Sequence, residues 1–82
     1  MRLDKYLKVS RIIKRRTVAN DACDGGRVSV NGKQVKPSYT VKIGDIIEIA
    51  FGERKIRARI TQISEVVRKE NASDMYEIIG DE

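Results

Sequence analysis

Histidine is absent from the 82 residues. The commonest general base and metal ligand at neutral pH is therefore missing. The one cysteine, Cys23, closes no internal disulfide and builds no zinc site alone. That usage predicts a reducing, cytoplasmic setting. Tryptophan is absent, and Tyr6, Tyr39, Tyr76 and Phe51 are the only aromatics, so the core must be aliphatic. Pro37 is the single proline, and no repeat, low-complexity tract or linker breaks the chain. No apolar run approaches the ~20 residues of a membrane span. Charge from Arg2 onward predicts no secretory leader.

What is present suits one small folded domain. Hydrophobic residues make 40% and charged residues 35%, a globular rather than a disordered balance. A chain of this size buries roughly 60–65% of its unfolded surface and folds without staples. The net charge of +5 hides an asymmetry. Residues 1–42 hold 11 Lys and Arg against 3 Asp and Glu, a balance of +8. Residues 43–82 hold 6 against 9, a balance of −3. Positive charge gathered in one half points to a polyanion, nucleic acid before an anionic membrane. The plainer alternative is a solvated basic surface.

The period of the apolar residues predicts two short helices. Over residues 3–11, Leu3, Tyr6, Leu7 and Ser10 share one face at ~100° per residue, with Lys5 and Lys8 opposite and Arg11 at the edge. Asp4 falls in the first turn, where the helix dipole favours an anion. Ile12 and Ile13 then suggest a buried link. Over residues 16–24, Val18, Ala19, Ala22 and Cys23 gather on one side, against Thr17, Asn20, Asp21 and Asp24. Gly25-Gly26 ends this helix, since either glycine can take the left-handed conformation.

Beyond the glycines the period falls to two. Val28 and Val30 alternate with Arg27 and Ser29, and Asn31-Gly32 fits a type I′ turn into a small hairpin. Val41 and Ile43 resume the apolar positions after Pro37. Gly44-Asp45 reads as a turn before a strand over 46–51, and Gly52-Glu53 as another turn. Ile56, Ala58 and Ile60 then alternate with Lys55, Arg57 and Arg59, a strand with a cationic face. Residues 68–74 read as a polar loop and 75–79 as a last strand. The expected class is α+β: two N-terminal helices on a small, mostly antiparallel sheet of four to five strands.

Chemistry is poorly supplied. Cys23 lies among alanines on the inward face and reads as core, with no His to activate it. Asp21 and Asp24 share a helix face, but nothing else converges on them, so they read as solvated surface. Gly25-Gly26 follows a helix, whereas phosphate-cradling glycines precede one. No catalytic residue, metal site or cofactor is expected. The basic set is the better candidate. Arg2, Lys5, Lys8 and Arg11 lie on or beside the first helix, and Lys14, Arg15 and Arg16 stand at the start of the second. Cations there oppose the helix dipole by a few tenths to ~1 kcal/mol, where Ser, Thr or Asp would stabilise. An anionic ligand reverses the sign of that penalty.

Three stretches carry a family resemblance: RLDKYL at 2–7, KRRTVA at 14–19 and GRVSVNGKQVKPS at 26–38. They resemble the RNA-binding domain named from ribosomal small-subunit protein four, the S-four domain. Its pattern matches here at Arg2-Leu3-Asp4, Arg16, Ala19, Gly26, Val28 to Gly32, and Gly44-Asp45. Arg15 departs from it, standing where many members have Ser or Thr as the helix cap. As an ordered set the match is specific, and it spans roughly residues 1–50. The short form with a β tail is similar to the heat-shock protein fifteen family, and within it to ribosome-associated quality-control factors of Gram-positive bacteria.

The resemblance implies an S-four domain over 1–50, with 51–82 a β extension completing the same unit. It implies binding to the obstructed large ribosomal subunit, at ribosomal RNA and peptidyl-tRNA. It further implies cooperation with the factor that recruits alanyl-tRNA for C-terminal alanine tailing. The expected RNA contacts are Arg16 first, then Arg2, Arg15, Lys14, Arg11, Lys5, Lys8 and Lys33. Asp4 is expected to orient a cation and cap the first helix, and is kept among the RNA-contact candidates. A monomer is expected. The alternative is an accessory subunit or protein–protein adaptor, with the strand over 55–59 or the tail over 75–79 offering an edge for pairing.

Overall fold

The structure is a computed structural model that describes residues 1–65 and 67–81. Two helices, α1 (Leu3–Val9) and α2 (Arg16–Asp24), precede strands β1 (Val28–Val30), β2 (Lys33–Gln34), β3 (Ile46–Phe51) and β4 (Arg54–Ile60). A 3-10 helix (Lys69–Met75) leads into β5 (Tyr76–Asp81). The strands form one antiparallel sheet in the order β2-β1-β3-β4-β5. This is the expected α+β class. Of the 51–82 extension, residues 66 and 82 lie outside the described residues.

The predicted face of α1 is the buried one: Leu3, Tyr6, Leu7 and Ser10 are all inside. The helix stops at Val9, two residues earlier than its pattern suggests. Ser10 turns its hydroxyl back onto the Leu7 carbonyl at 3.2 Å, and Arg11 adopts a left-handed φ of 63°. α2 buries Ala19, Ala22 and Cys23. Val18 does not join them and stands 48% exposed. It lies about 100° round the helix from Ala19, just outside a narrow buried arc. The small residues let α2 approach α1 closely. Gly26, at φ 74°, ends α2 in a Schellman arrangement. Its amide bonds the Cys23 carbonyl at 3.1 Å and the Arg27 amide bonds that of Ala22 at 2.9 Å.

Asn31 (φ 53°) and Gly32 (φ 85°) make the type I′ turn that pairs Val30 with Lys33. Val28 and Val30 face Ile49 and Ile47 across β3, and these four join Val41, Ile60, Met75 and the helix residues in one core. Each such aliphatic side chain contributes about 1.5–3 kcal/mol by leaving water. Ile43 belongs to the exposed surface instead, at 68%. It sits in the Lys42–Asp45 turn, and residues 35–45 form no strand beyond a bridge between Arg2 and Thr40.

Buried Asp45 organises that segment. Its carboxylate accepts from Tyr39 OH at 2.9 Å, Asn31 Nδ2 at 3.1 Å and the Lys42 amide at 3.0 Å. Residues 68–74 are not a loop: past the extended Arg68, residues 69–74 form most of the 3-10 helix. Ala72 and Met75, three apart, fall on one side of a helix with three residues per turn, and both are buried. Tyr6 OH donates to the Met75 carbonyl at 2.7 Å and ties α1 to this segment. β4 pairs with β3 on one side and β5 on the other, so it offers no edge; the sheet edges are β2 and β5.

Candidate nucleic-acid interface

The two helix N-termini differ. At α1 the first amides are closed internally. Leu3 N–H donates to the Tyr39 carbonyl at 2.7 Å, Asp4 N–H to that of Pro37 at 3.2 Å, and Lys5 N–H to Asp4 Oδ1 at 2.8 Å. The segment that Asp45 organises thus seals this end. At α2, Arg15 supplies no side-chain cap, and among the described residues no acceptor meets the amides of Arg16, Thr17 and Val18. Lys14, Arg15 and Arg16 are exposed there. An open helix N-terminus beside cations favours an anion twice over, by its amides and by its dipole.

Asp4 joins the helices. Its side chain is 2% exposed, and Oδ1 lies 3.2 Å from Arg2 Nε while Oδ2 lies 3.4 Å from Arg16 Nε. Asn20 Nδ2 donates to Oδ2 at 3.4 Å. Burial pushes the Asp4 carboxyl up, but the Asn20 and Lys5 hydrogen bonds and the Arg16 charge outweigh it and hold the group below its ordinary value. It is therefore ionised at neutral pH. Arg2 and Arg16 remain 51% and 48% exposed. Each gives one edge of its guanidinium to Asp4 and keeps further donors for solvent or a ligand. Beside Arg16, a cleft of about 300 Å³ is lined by Asp4, Thr17, Asn20 and Asp21.

A second cleft of about 300 Å³ lies at the other end of α1, lined by Lys8, Val9, Arg11, Lys14, Glu65 and Val67. Arg11 holds its left-handed φ of 63° there, a conformation that costs an L-residue roughly 1–2 kcal/mol. Glycine would avoid that cost, so the side chain retained at this turn is a cation at an energetic disadvantage. Lys5 pairs with Glu65 across the chain. No described contact brings Lys33 to this set; it opens β2, just past the hairpin turn, and is exposed.

Two cations of β4 are engaged with carboxylates of neighbouring strands: Lys55 with Glu48 at 3.7 Å and Arg59 with Glu77 at 3.6 Å. Cys23 is buried, and burial, with the charges of Asp4 and Asp24, pushes its thiol up to about 11. Among the described residues no three His, Cys, Asp or Glu gather as metal ligands, and no helix is long and apolar enough to cross a membrane. Two participants escape sequence reasoning. Asn20 reads as solvated polar surface but reaches Asp4, and Glu65 lies 60 residues from the lysine it pairs with.

Residues 1–47 match the family model described as the S4 domain. The chain is 51% identical over 82 residues to an RQC P-site tRNA stabilizing factor of Halalkalibacterium halodurans, covering all of this chain and 93% of that protein. It is 52% identical to one of Listeria monocytogenes, covering all of this chain and 89% of that protein. The trimeric structure of Vibrio cholerae heat shock protein 15 superposes with a TM-score of 0.88 at 35% identity, over 95% of this chain and 80% of that one. The chain belongs to the S4 domain family and, within it, to the RQC P-site tRNA stabilizing factors.

Proposed function

We propose that this protein is a non-catalytic RNA-binding factor of ribosome-associated quality control. It binds the obstructed large ribosomal subunit, contacts ribosomal RNA and peptidyl-tRNA together, and supports C-terminal alanine tailing beside the factor that recruits alanyl-tRNA. The observation that carries this is the Arg2–Asp4–Arg16 constellation at the open end of α2. Two half-exposed guanidiniums fixed on one buried carboxylate are preorganised phosphate donors, and the backbone amides beside them add to the same field. The relatives' shared name, P-site tRNA stabilizing factor, supports tRNA as the ligand.

Arg16 is the first contact and Arg2 the second, with Lys14, Arg15, Arg11, Lys8 and Lys5 flanking them. Lys33 contributes from the hairpin, apart from the rest. Asp4 positions Arg2 and Arg16 from beneath. Residues 1–50 form the RNA-binding part and 51–82 complete the unit by extending its sheet. The protein acts as a single copy in the cytoplasm. Its contribution is positional: shape and charge hold a tRNA in place while other components do the chemistry.

The test is the salt dependence of binding to large subunits bearing peptidyl-tRNA. Each neutralised phosphate adds slightly under one unit to the log–log slope, and about 4–7 contacts are expected. Partners captured with the tagged protein should disappear after nuclease treatment. Salt-independent binding, or a partner set indifferent to nuclease, sinks the reading and favours an adaptor.

A further inference from the structure

We propose that the cleft between the end of α1 and the residues Glu65 and Val67 is a phosphate subsite distinct from the Arg2–Asp4–Arg16 constellation. Glu65 lines it as an internal counter-ion that a nucleic-acid phosphate displaces. The inference rests on the RNA-binding reading and adds a second point of contact to it.

Charge is unbalanced in this cleft. Lys8, Arg11 and Lys14 line it, and among the described residues no ion pair engages any of the three. Glu65 is the one carboxylate in its described lining. Lys5 hydrogen-bonds and pairs with that carboxylate, and Lys5 and the N-terminal ammonium hold it ionised. One negative charge thus faces Lys5, Lys8, Arg11, Lys14 and the chain's own amino group. The surplus is what a polyanion would neutralise.

The two carboxylates of the basic surface differ in a way that assigns them different roles. Asp4 is 2% exposed and bonded to two arginines, an asparagine and a backbone amide; it cannot leave. Glu65 is 69% exposed and reaches the surface from a segment outside any helix or strand. Among the described residues, rotating its side chain into water breaks one hydrogen-bonded contact, that with Lys5. Asp4 is therefore a fixed part of its site, while Glu65 occupies the position an incoming phosphate oxygen would take. Residues on either side of Glu65 are anchored close by, with Ile63 and Val67 packed on the core and Thr61 N–H bonded to the Met75 carbonyl at 2.9 Å. The backbone can stay while the carboxylate moves.

The test compares Glu65→Gln with Glu53→Gln, which removes the same charge from the β3–β4 turn, in binding a fluorescent RNA stem-loop across a salt series. An exposed ion pair has a small energy, so Glu65→Gln should bind about two- to five-fold tighter at low salt. The gain should fade as salt rises and vanish when Lys14→Ala is added. Glu53→Gln should match wild type. Equal or weaker binding by Glu65→Gln, or an equal gain in Glu53→Gln, overturns the inference. Steep wild-type binding with no gain removes this subsite alone. Wild-type binding that ignores salt removes the RNA-binding reading and this subsite with it.

Discussion

Replacing Arg11 with glycine should make the protein more stable and a weaker RNA binder. The backbone there sits at φ 63°. An L-residue in that region gives up roughly 1–2 kcal/mol, and glycine returns roughly 0.5–1 kcal/mol of it through its greater freedom when unfolded. The net stabilisation is about 0.5–1 kcal/mol. In a domain of this size 1 kcal/mol moves Tm by about 4–8 °C, so a rise of about 2–8 °C is expected by calorimetry. Losing one phosphate contact should lower the salt slope of RNA binding by about 0.7–0.9. Arg11→Asn separates the two effects: asparagine tolerates the left-handed region, so binding falls alike with a smaller change in Tm. Opposite signs in stability and affinity are what a cation kept for a ligand produces. A fall in Tm for Arg11→Gly would show that the side chain holds the turn together. Unchanged binding at every salt concentration would show that it touches no phosphate.

Asp4→Asn should destabilise the fold by about 1–2 kcal/mol, because the two guanidiniums lose their shared anion while staying half solvated. It should also flatten the acid limb of the stability curve. The wild-type carboxyl is held below its ordinary value of 3.8, so its contribution is complete above that pH and lost as pH falls through the lower folded value. A variant with the wild-type acid limb in urea titrations would remove Asp4 from the account. Cys23, buried and with its thiol pushed up to about 11, should resist alkylation at pH 8 in the folded protein and react once urea unfolds it. Rapid native labelling would contradict that burial.

Most of the local structure was legible because its signals are local. Gly25-Gly26 marks the end of α2, and Asn31-Gly32 the hairpin turn, since each demands a backbone that few other residues supply. The inward Ile56, Ala58 and Ile60 follow from a period of two alone. The 3-10 helix was hidden because only Ala72 and Met75 are apolar in a run of polar residues, and a period of three over so short a run resembles a loop. Val18 and Ile43 show the limit of pattern: each is apolar and near the right phase, yet each stays largely exposed outside the core. At the site, the cations and the place of Arg16 at a helix start could be read from the chain. The partner relations could not. Asn20 reaches Asp4 only because small residues bring the helices together, and Glu65 reaches Lys5 only because the sheet returns the chain to α1.

Co-sedimentation of Arg16→Ala with large ribosomal subunits bearing peptidyl-tRNA tests the central claim most directly. Arg16 is half exposed and shares Asp4 with Arg2, Asn20 and the Lys5 amide, so its loss should leave Tm within a few degrees of wild type. The account predicts wild-type protein in the subunit fractions, more of it when the tRNA is present, and Arg16→Ala largely in the supernatant. Folded Arg16→Ala that sediments like wild type, or wild type that binds vacant and tRNA-bearing subunits equally, would contradict it.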